Sequence, residues 1–221
     1  MTHIEVEIEE IKRDLIRMGE LVYGQLERGK ESVLTLDKTL AQQIVMSEKR
    51  VNASELKLDR DCENFIARFA PVAVDLRCVL AVLKINTNLE RIGDIAEGIA
   101  RFVIDVDTDF DKELLEVTRL NEMYDEASHM LREVLDAFNQ QNTSLAKGVF
   151  VHDDILDEIN QLAVTVIAEY IKKHPDKVEQ ALYLLSVIRK LERMGDHVKN
   201  IGEEIVFYIE ATILKHRKPK M

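Results

Sequence analysis

The chain has 221 residues and a formal net charge of −11, with only 8 glycines, 3 prolines and no tryptophan. So few helix-breaking residues favour long helices over sheets, and the acidic balance argues against a general nucleic-acid binder, which needs a basic face. The N-terminus turns acidic at once and no uncharged run reaches the ~20 residues that span a bilayer, so we expect a cytoplasmic protein without a signal peptide.

Apolar residues recur at helical spacing through nearly the whole sequence. In the first half, the pattern predicts a helix that begins near Ile4 and fades near Gly29. A second helix is predicted over about 37–68, stopping before Pro71, and a third over about 72–104.

The second half repeats this arrangement after a break. The stretch 105–111 interrupts the helical pattern with alternating aspartates and is the best linker in the chain. Three more helices are predicted over about 112–140, 143–172 and 176–215, with Pro175 between the last two.

A short string that occurs twice indicates a duplication. LERIGD at 89–94 and LERMGD at 191–196 are near copies that lie 102 residues apart. Together with the helical pattern, they predict an all-α fold of two tandem, pseudo-symmetric three-helix bundles with six long antiparallel helices. We expect the first repeat to span residues 1–107 and the second 108–221.

Each copy places a glutamate and an aspartate four residues apart, and the preceding helix carries a second polar pair at the same spacing. Such a spacing puts both side chains on one helix face, about 5–6 Å apart at Cβ. Asn200 follows one turn after the second motif. The first patch is the set Glu48, Asn52, Glu90 and Asp94, and the second patch is the set Asp153, Asp157, Glu192, Asp196 and Asn200.

Hairpin geometry predicts that the pairs within each patch meet. In an antiparallel hairpin, residues equidistant from the turn lie level with one another. The pairs of the first patch are equally far from Pro71, and those of the second are equally far from the chain beside Pro175. Each hairpin therefore brings its pairs to one height, about 30 Å from the turn at 1.5 Å per residue.

A bound cation would relieve the repulsion between clustered carboxylates, which otherwise raise one another's pKa values. Oxygen ligands suit Mg, Mn, Ca or Fe better than they suit a thiolate-seeking metal. Arg91 and Arg193 are alternative neutralisers, but each is one residue past its glutamate and is expected to point about 100° away. Gly93 and Gly195 each cost a helix roughly 0.8–1 kcal/mol, which predicts close packing at both positions.

The acidic linker also has part of a calcium-loop pattern. Carboxylates stand at positions 1, 3, 5 and 12 of an EF-hand count: Asp105, Asp107, Asp109 and Glu116. Position 6, which needs glycine, is Phe110. We therefore expect a solvated linker that ends in a helix N-cap.

Two further features have ordinary explanations. Cys62 and Cys78 lack CxxC spacing, so buried, reduced thiols are expected rather than a zinc site or a disulfide. The basic tail over 215–220 is expected to be a frayed, solvated end. Membrane-surface binding through this tail is a lesser alternative.

These motifs resemble the PhoU family of bacterial phosphate-transport regulators over essentially the whole chain. The most specific stretch runs from PVAVDLR at 71–77 to LERIGDIA at 89–96, as in the family pattern PxxxDLR followed by LERIGDxA. The resemblance implies two tandem three-helix bundles, each with a surface multinuclear iron or zinc cluster held by E(D)xxxD motifs. Manganese, magnesium and calcium remain alternatives.

The family pattern fits the two patches unequally. The second patch matches the expected ligand types throughout. In the first, Glu48 stands where aspartate is usual, Asn52 replaces a carboxylate, and Gly98 stands where asparagine often follows the motif. We therefore expect the first patch to bind metal more weakly or to hold fewer ions.

The resemblance also implies regulation rather than catalysis, namely negative regulation of phosphate uptake and of phosphate-starvation signalling. The implied partners are the sensor histidine kinase of the phosphate regulon and the ATPase subunit of the phosphate ABC transporter, and the implied assembly is a homodimer. Composition and spacing are silent on phosphate. The sequence has no Gly-rich phosphate loop and no nucleophile elbow.

Two other interpretations compete with that of a PhoU-like, metal-binding regulator. A ferritin-like di-iron enzyme needs two Glu-x-x-His motifs facing two further glutamates, and only Glu126-Ala127-Ser128-His129 fits here. A metal-free helical adaptor, whose acidic faces are solvated or dock a basic partner, remains open.

Overall fold

The structure is a computed structural model that describes residues 3–107 and 109–214. It is all-α, with no strand among these residues. Three helices precede the linker and three long helices follow it, as the sequence predicts. The elements are α1 (His3–Thr35), α2 (Lys38–Phe69), α3 (Ala73–Asp105), α4 (Lys112–Val117), α5 (Leu120–Gln140), α6 (Thr143–Lys173), a 3₁₀ turn (Pro175–Lys177) and α7 (Val178–Glu210).

The first helix is longer than the apolar pattern predicts. It continues through Gly29 and ends only at Thr35, before Leu36 adopts a left-handed conformation with φ of 50°. Asp37 then caps α2, because its carboxylate accepts hydrogen bonds from the backbone N–H groups of Thr39 and Leu40. A glycine inside a packed helix is tolerated when burial of the apolar stripe outweighs its cost.

The prediction of one helix over 112–140 is wrong. The chain breaks at Arg119, whose φ of 53° is left-handed, and this break separates α4 from α5. Thr118 donates its hydroxyl hydrogen to the Leu114 carbonyl at 2.7 Å, a local bond that competes with helix continuation. Arg119 also contacts Glu122 at 2.7 Å and Glu158 of α6 at 3.0 Å, which hold it outside the helix.

The last helix is shorter than predicted. It begins at Val178 after the 3₁₀ turn and ends at Glu210, where Ala211 has a left-handed φ of 53°. The basic tail over 215–220 lies outside the described residues, so its predicted solvated state stays a prediction. The linker does end in an N-cap, since Asp111 accepts hydrogen bonds from the first N–H groups of α4.

The two bundles, α1–α3 and α5–α7, pack against each other through their last helices and also through α1 and α5, where Arg132 pairs with Glu20 at 2.6 Å. Arg77 near the start of α3 donates to the carbonyl of Tyr208 near the end of α7, while Phe102 near the end of α3 stacks edge-on with Tyr183. The two helices are therefore antiparallel. A continuous apolar core runs through both bundles.

Two further predictions concern the cysteines and membrane-spanning helices. Cys62 and Cys78 are both buried and unpaired, as expected, and burial raises the pKa of the Cys62 thiol to about 12. Among the described residues, no helix combines the length and apolarity that a membrane crossing requires.

Candidate functional site

The α2–α3 hairpin brings Glu48 against the first LERIGD motif, at the predicted height. The Glu48 side chain is only 3% exposed, and its Oε2 accepts a hydrogen bond from Gln25 Nε2 at 2.9 Å. Its other oxygen, Oε1, is buried and has no hydrogen-bond partner in the described part of the chain. Burying a carboxylate oxygen without a hydrogen-bond partner costs free energy. A ligand that contacted Glu48 Oε1 would therefore stabilise the folded chain.

Burial and neighbouring acids make the first patch hard to ionise. Burial raises the pKa of Glu48 to about 7, and the charges of Asp94, Glu97 and Glu90 raise it further against the opposing hydrogen bond from Gln25. Burial likewise raises the pKa of Glu90, with the Asp94 charge acting in the same direction. Four carboxylates from α2 and α3 therefore repel one another at this position.

Arg91 does contact the acids of its own motif, which corrects the expectation that it points away. Its Nε lies 3.4 Å from Glu90 Oε2, and its Nη1 lies 3.3 Å from Asp94 Oδ2. The arginine side chain is long enough to fold back along the helix. It is 57% exposed, however, so solvent screens both contacts and they relieve little of the repulsion.

The second patch forms in the same way on the α6–α7 hairpin. Asp153 is 5% exposed, and burial raises its pKa, with the charges of Asp157 and Asp196 acting in the same direction. Burial also raises the pKa of Glu192, and the charges of Asp196, Asp157 and Asp153 add to it. All four carboxylates of the second patch thus act on one another.

Lys199 lies in the second patch and was missed by the sequence analysis. Its ammonium group donates to Asp153 and, at 2.9 Å, to Asp196 Oδ1. Burial lowers the pKa of Lys199, but the hydrogen bonds that its ammonium group donates to these carboxylates outweigh burial and raise the pKa. The i, i+3 spacing from Asp196 to Lys199 was a signal that could have found this contact.

The duplication places Glu97 of the first repeat where the second repeat has Lys199. Both stand three residues after the aspartate of their motif. Glu97 adds a fourth acid beside the first patch, and its own partner is Arg101 at 2.6 Å. The buried acid of the second patch therefore accepts a hydrogen bond from an ammonium group, whereas Glu48 accepts one from the amide of Gln25.

The two amides of the predicted set lie farther out. Asn52 is exposed on α2, and Asn200 is half-buried on α7, one turn beyond Asp196. The motifs themselves lie at the same height on antiparallel helices, because Asn88 Oδ1 of α3 is 2.9 Å from His197 Nδ1 of α7. The pseudo-symmetry predicted from the sequence thus extends to the positions of both motifs.

The motif glycines are explained by close packing, as predicted. A Cβ atom on Gly93 would lie 2.9 Å from Glu48 Oε2, and one on Gly195 would lie 2.6 Å from Leu156 Cδ2 and 3.2 Å from Asp153 Oδ1. All three distances are shorter than ordinary van der Waals contacts. Glycine is therefore what lets the buried carboxylate of the neighbouring helix approach each motif.

The donor atoms of both patches are of the kind that a hard cation prefers, although within the described ranges neither patch brings ligand atoms of three carboxylates to within 4.8 Å of one another. All of the charged donors are carboxylate oxygens, as magnesium, manganese, calcium and carboxylate-bound iron sites require. The first patch adds the unpartnered Glu48 Oε1, while in the second Lys199 already supplies a positive charge. The first patch is therefore better suited to a cation than the replacement of a carboxylate by Asn52 led us to expect.

Two three-helix repeats, each with a level E(D)xxxD patch, define a class of duplicated helical proteins with paired acidic sites. The family model of the PhoU domain matches residues 15–103 and 120–205, and the chain belongs to the PhoU family. It is 32% identical over 212 residues to the phosphate-specific transport system accessory protein PhoU homolog of Pseudomonas putida, covering 95% of this chain and 82% of the relative. The accessory protein PhoU of Escherichia coli K12 is 30% identical over 210 residues, covering 95% and 86%.

Solved structures agree in fold. The crystal structure of PhoU from Pseudomonas aeruginosa superposes with a TM-score of 0.86 at 29% identity, covering 95% of this chain and 100% of that chain. The phosphate transport system regulatory protein PhoU from Streptococcus pneumoniae superposes with a TM-score of 0.83 at 24% identity, covering 96% and 100%. The duplicated bundle is thus the fold of both.

Proposed function

We propose that this protein is a cytoplasmic regulatory adaptor of phosphate homeostasis that restrains phosphate uptake and phosphate-starvation signalling. The observation that carries the proposal is its 30–32% identity, over 95% of the chain, to proteins named as accessory to phosphate-specific transport. Its partners would be the ATPase subunit of the phosphate ABC transporter and the sensor histidine kinase, and it would act as a homodimer rather than as an enzyme.

A pull-down under two phosphate regimes tests this role. We expect the tagged chain, recovered from its own cells at high phosphate, to retain the transporter ATPase and the histidine kinase, and to retain less of at least one at low phosphate. Mass spectrometry of the retained proteins is the measurement. Retention of neither partner under either condition would remove the proposed function.

The acidic patches would hold metal ions, with iron or zinc suggested by family resemblance and manganese, magnesium or calcium as alternatives. When bound, a cation would supply the positive charge that the clustered carboxylates lack. Glu48, Glu90 and Asp94 would hold it in the first patch, with Asn52 at the rim, and the carboxylates of the second patch would do so in competition with Lys199. We propose that the first patch binds the more tightly, the reverse of the ranking expected from sequence.

Exchanging charge at the two equivalent positions tests this ranking. We expect Glu97→Lys to weaken manganese binding at the first patch roughly tenfold, about 1.4 kcal/mol, because it adds an ammonium group beside the ligands. Lys199→Gln should strengthen binding at the second patch by a similar factor, because the internal competitor is gone. Titration followed by elemental analysis measures both affinities, and Glu10→Lys and Lys112→Gln, at exposed residues outside the patches, are the controls with the same changes in net charge.

The alternative is a metal-free adaptor, and chelation distinguishes it. If the patches hold metal, protein purified without chelator contains it, and EDTA lowers the thermal midpoint. Absence of metal and an unchanged midpoint would leave the adaptor role and remove the metal sites. The pull-down and the metal analysis can therefore fail independently.

A further inference from the structure

A second group of potential metal ligands lies on the α5–α6 side of the second bundle. His129 and Glu133 stand one turn apart on α5, and His152 faces them from α6. One ligand atom from each residue can be chosen so that all three lie within 4.8 Å of one another. This group is distinct from the second patch, because His152 contacts α5 whereas the adjacent Asp153 contacts Lys199 of α7.

The distances within this group approach those of a bound transition metal. His129 Nε2 is 3.8 Å from Glu133 Oε1, and the centroids of the two imidazole rings are 4.5 Å apart. Ligand atoms around tetrahedral zinc are about 3.3 Å apart, given bonds of about 2.0–2.1 Å. Side-chain rotations that move the ligand atoms by a few tenths of an ångström to about one ångström would therefore bring them to zinc-binding distances without backbone movement.

Glu126 gives His152 the orientation that a metal ligand needs. Its Oε2 lies 2.7 Å from His152 Nδ1. Since a carboxylate accepts, Nδ1 donates its hydrogen, and in the neutral imidazole the lone pair that can bind a cation is then on Nε2. A carboxylate that holds the far nitrogen of a ligating histidine is the usual outer support of zinc sites. Glu126 of the Glu-x-x-His motif thus serves as a positioning residue rather than as a ligand.

The third residue of the group carries an unused oxygen. Glu133 Oε2 is buried and has no hydrogen-bond partner within the described ranges. The carboxylate packs against α6, where a Cβ on Gly148 would lie at ordinary van der Waals distance, 3.4 Å from Oε2 and 3.5 Å from Oε1. His129 is 52% exposed, so an ion can reach the group from solvent.

We propose that His129, Glu133 and His152 bind one Zn²⁺ ion, with Glu126 supporting His152 and a water in the fourth position. Two imidazoles and one carboxylate form a nitrogen-rich donor set that suits zinc, whereas the acidic patches offer only oxygen. The site would add a zinc-dependent link between α5 and α6. It goes beyond the proposed function, which uses neither histidine.

Zinc titration of the metal-stripped full-length chain tests the site. We expect His129→Gln and His152→Gln each to weaken zinc binding at least tenfold, measured by competition with a chromophoric chelator, and Glu126→Gln to weaken it less. Histidine NMR should show zinc-induced shifts at His129 and His152. Circular dichroism of each metal-free variant checks that it folds.

The matched control is His3→Gln. His3 and Glu7 form the same i, i+4 pair on α1, with the same distance of 3.8 Å, but no second histidine faces them in the described chain. Removal of the His3 imidazole should leave both the zinc affinity and the zinc-induced shifts of His129 and His152 unchanged. Parent-like affinity in both histidine variants, or shifts confined to other histidines, would overturn the proposal.

Discussion

The metal-free protein is expected to lose on the order of 2–3 kcal/mol of stability through Glu48 as the pH rises from about 4.5 to about 7. Burial raises the pKa of this carboxyl from its ordinary value of 4.5 to about 7 in the folded chain. Between these values the folded state binds more protons than the unfolded state, so the free energy of unfolding falls with rising pH. The contribution is complete below the unfolded value and lost above the folded one.

Urea unfolding of EDTA-treated protein at pH 5 and pH 7.5 measures this effect, and Glu48→Gln isolates it. The variant keeps the shape of the side chain but cannot ionise, so the difference between parent and variant should appear only at the higher pH. Saturating manganese should flatten the parent's pH dependence, because a bound cation keeps the carboxylate ionised. Parallel pH profiles of parent and variant would contradict the assignment to Glu48.

Replacing Gly202 by alanine is expected to lower the free energy of unfolding by about 2 kcal/mol. A Cβ there would lie 2.8 Å from the Ala146 carbonyl oxygen and 3.2 Å from Val149 Cγ2, so α6 and α7 would have to move apart. Overpacking of this kind costs about 1–3 kcal/mol, and the clash is with backbone, which cannot rotate away. Chemical denaturation of both proteins under identical buffer measures the loss.

Gly29→Ala is the matched control for Gly202→Ala. Gly29 also lies inside a long helix, α1, but a Cβ there would meet nothing within 4 Å. Alanine should therefore stabilise the protein at this position, by about 0.5–1 kcal/mol, through helix propensity alone. Equal effects of the two substitutions would show that α6 and α7 are not packed as closely as the structure indicates.

The duplicated repeats have acquired different charges at one position with opposite consequences. In the second, Lys199 neutralises a buried aspartate from within, so this half of the fold carries its own counter-ion. In the first, Glu97 adds to the acids around Glu48, whose Oε1 has no partner among the described residues. The first repeat departs more from the family pattern, at Asn52. It is also the repeat in which a bound cation would relieve more repulsion around the buried carboxylate.

Much of this architecture could be predicted from local sequence patterns. The helical spacing of apolar residues predicted the six long helices, because each helix must bury one apolar stripe against its neighbours. The break at Pro71 and the N-cap at the end of the acidic linker were predicted, since the effects of proline and of a capping side chain act within a few residues. The repeated motif and hairpin geometry together predicted that Glu48 lies beside α3 and Asp153 beside α7.

The rest depended on contacts between residues distant in the chain. Arg119 lies at the break between α4 and α5, and it pairs with Glu158 on α6, which is 39 residues away in the chain. His152 becomes a potential ligand only because α6 packs beside α5. The sequence alone determined that the chain forms six long helices and which acids recur, since those signals are local. Only the tertiary structure decided which charges are buried together and which partners reach them, because burial and distance arise when the helices pack.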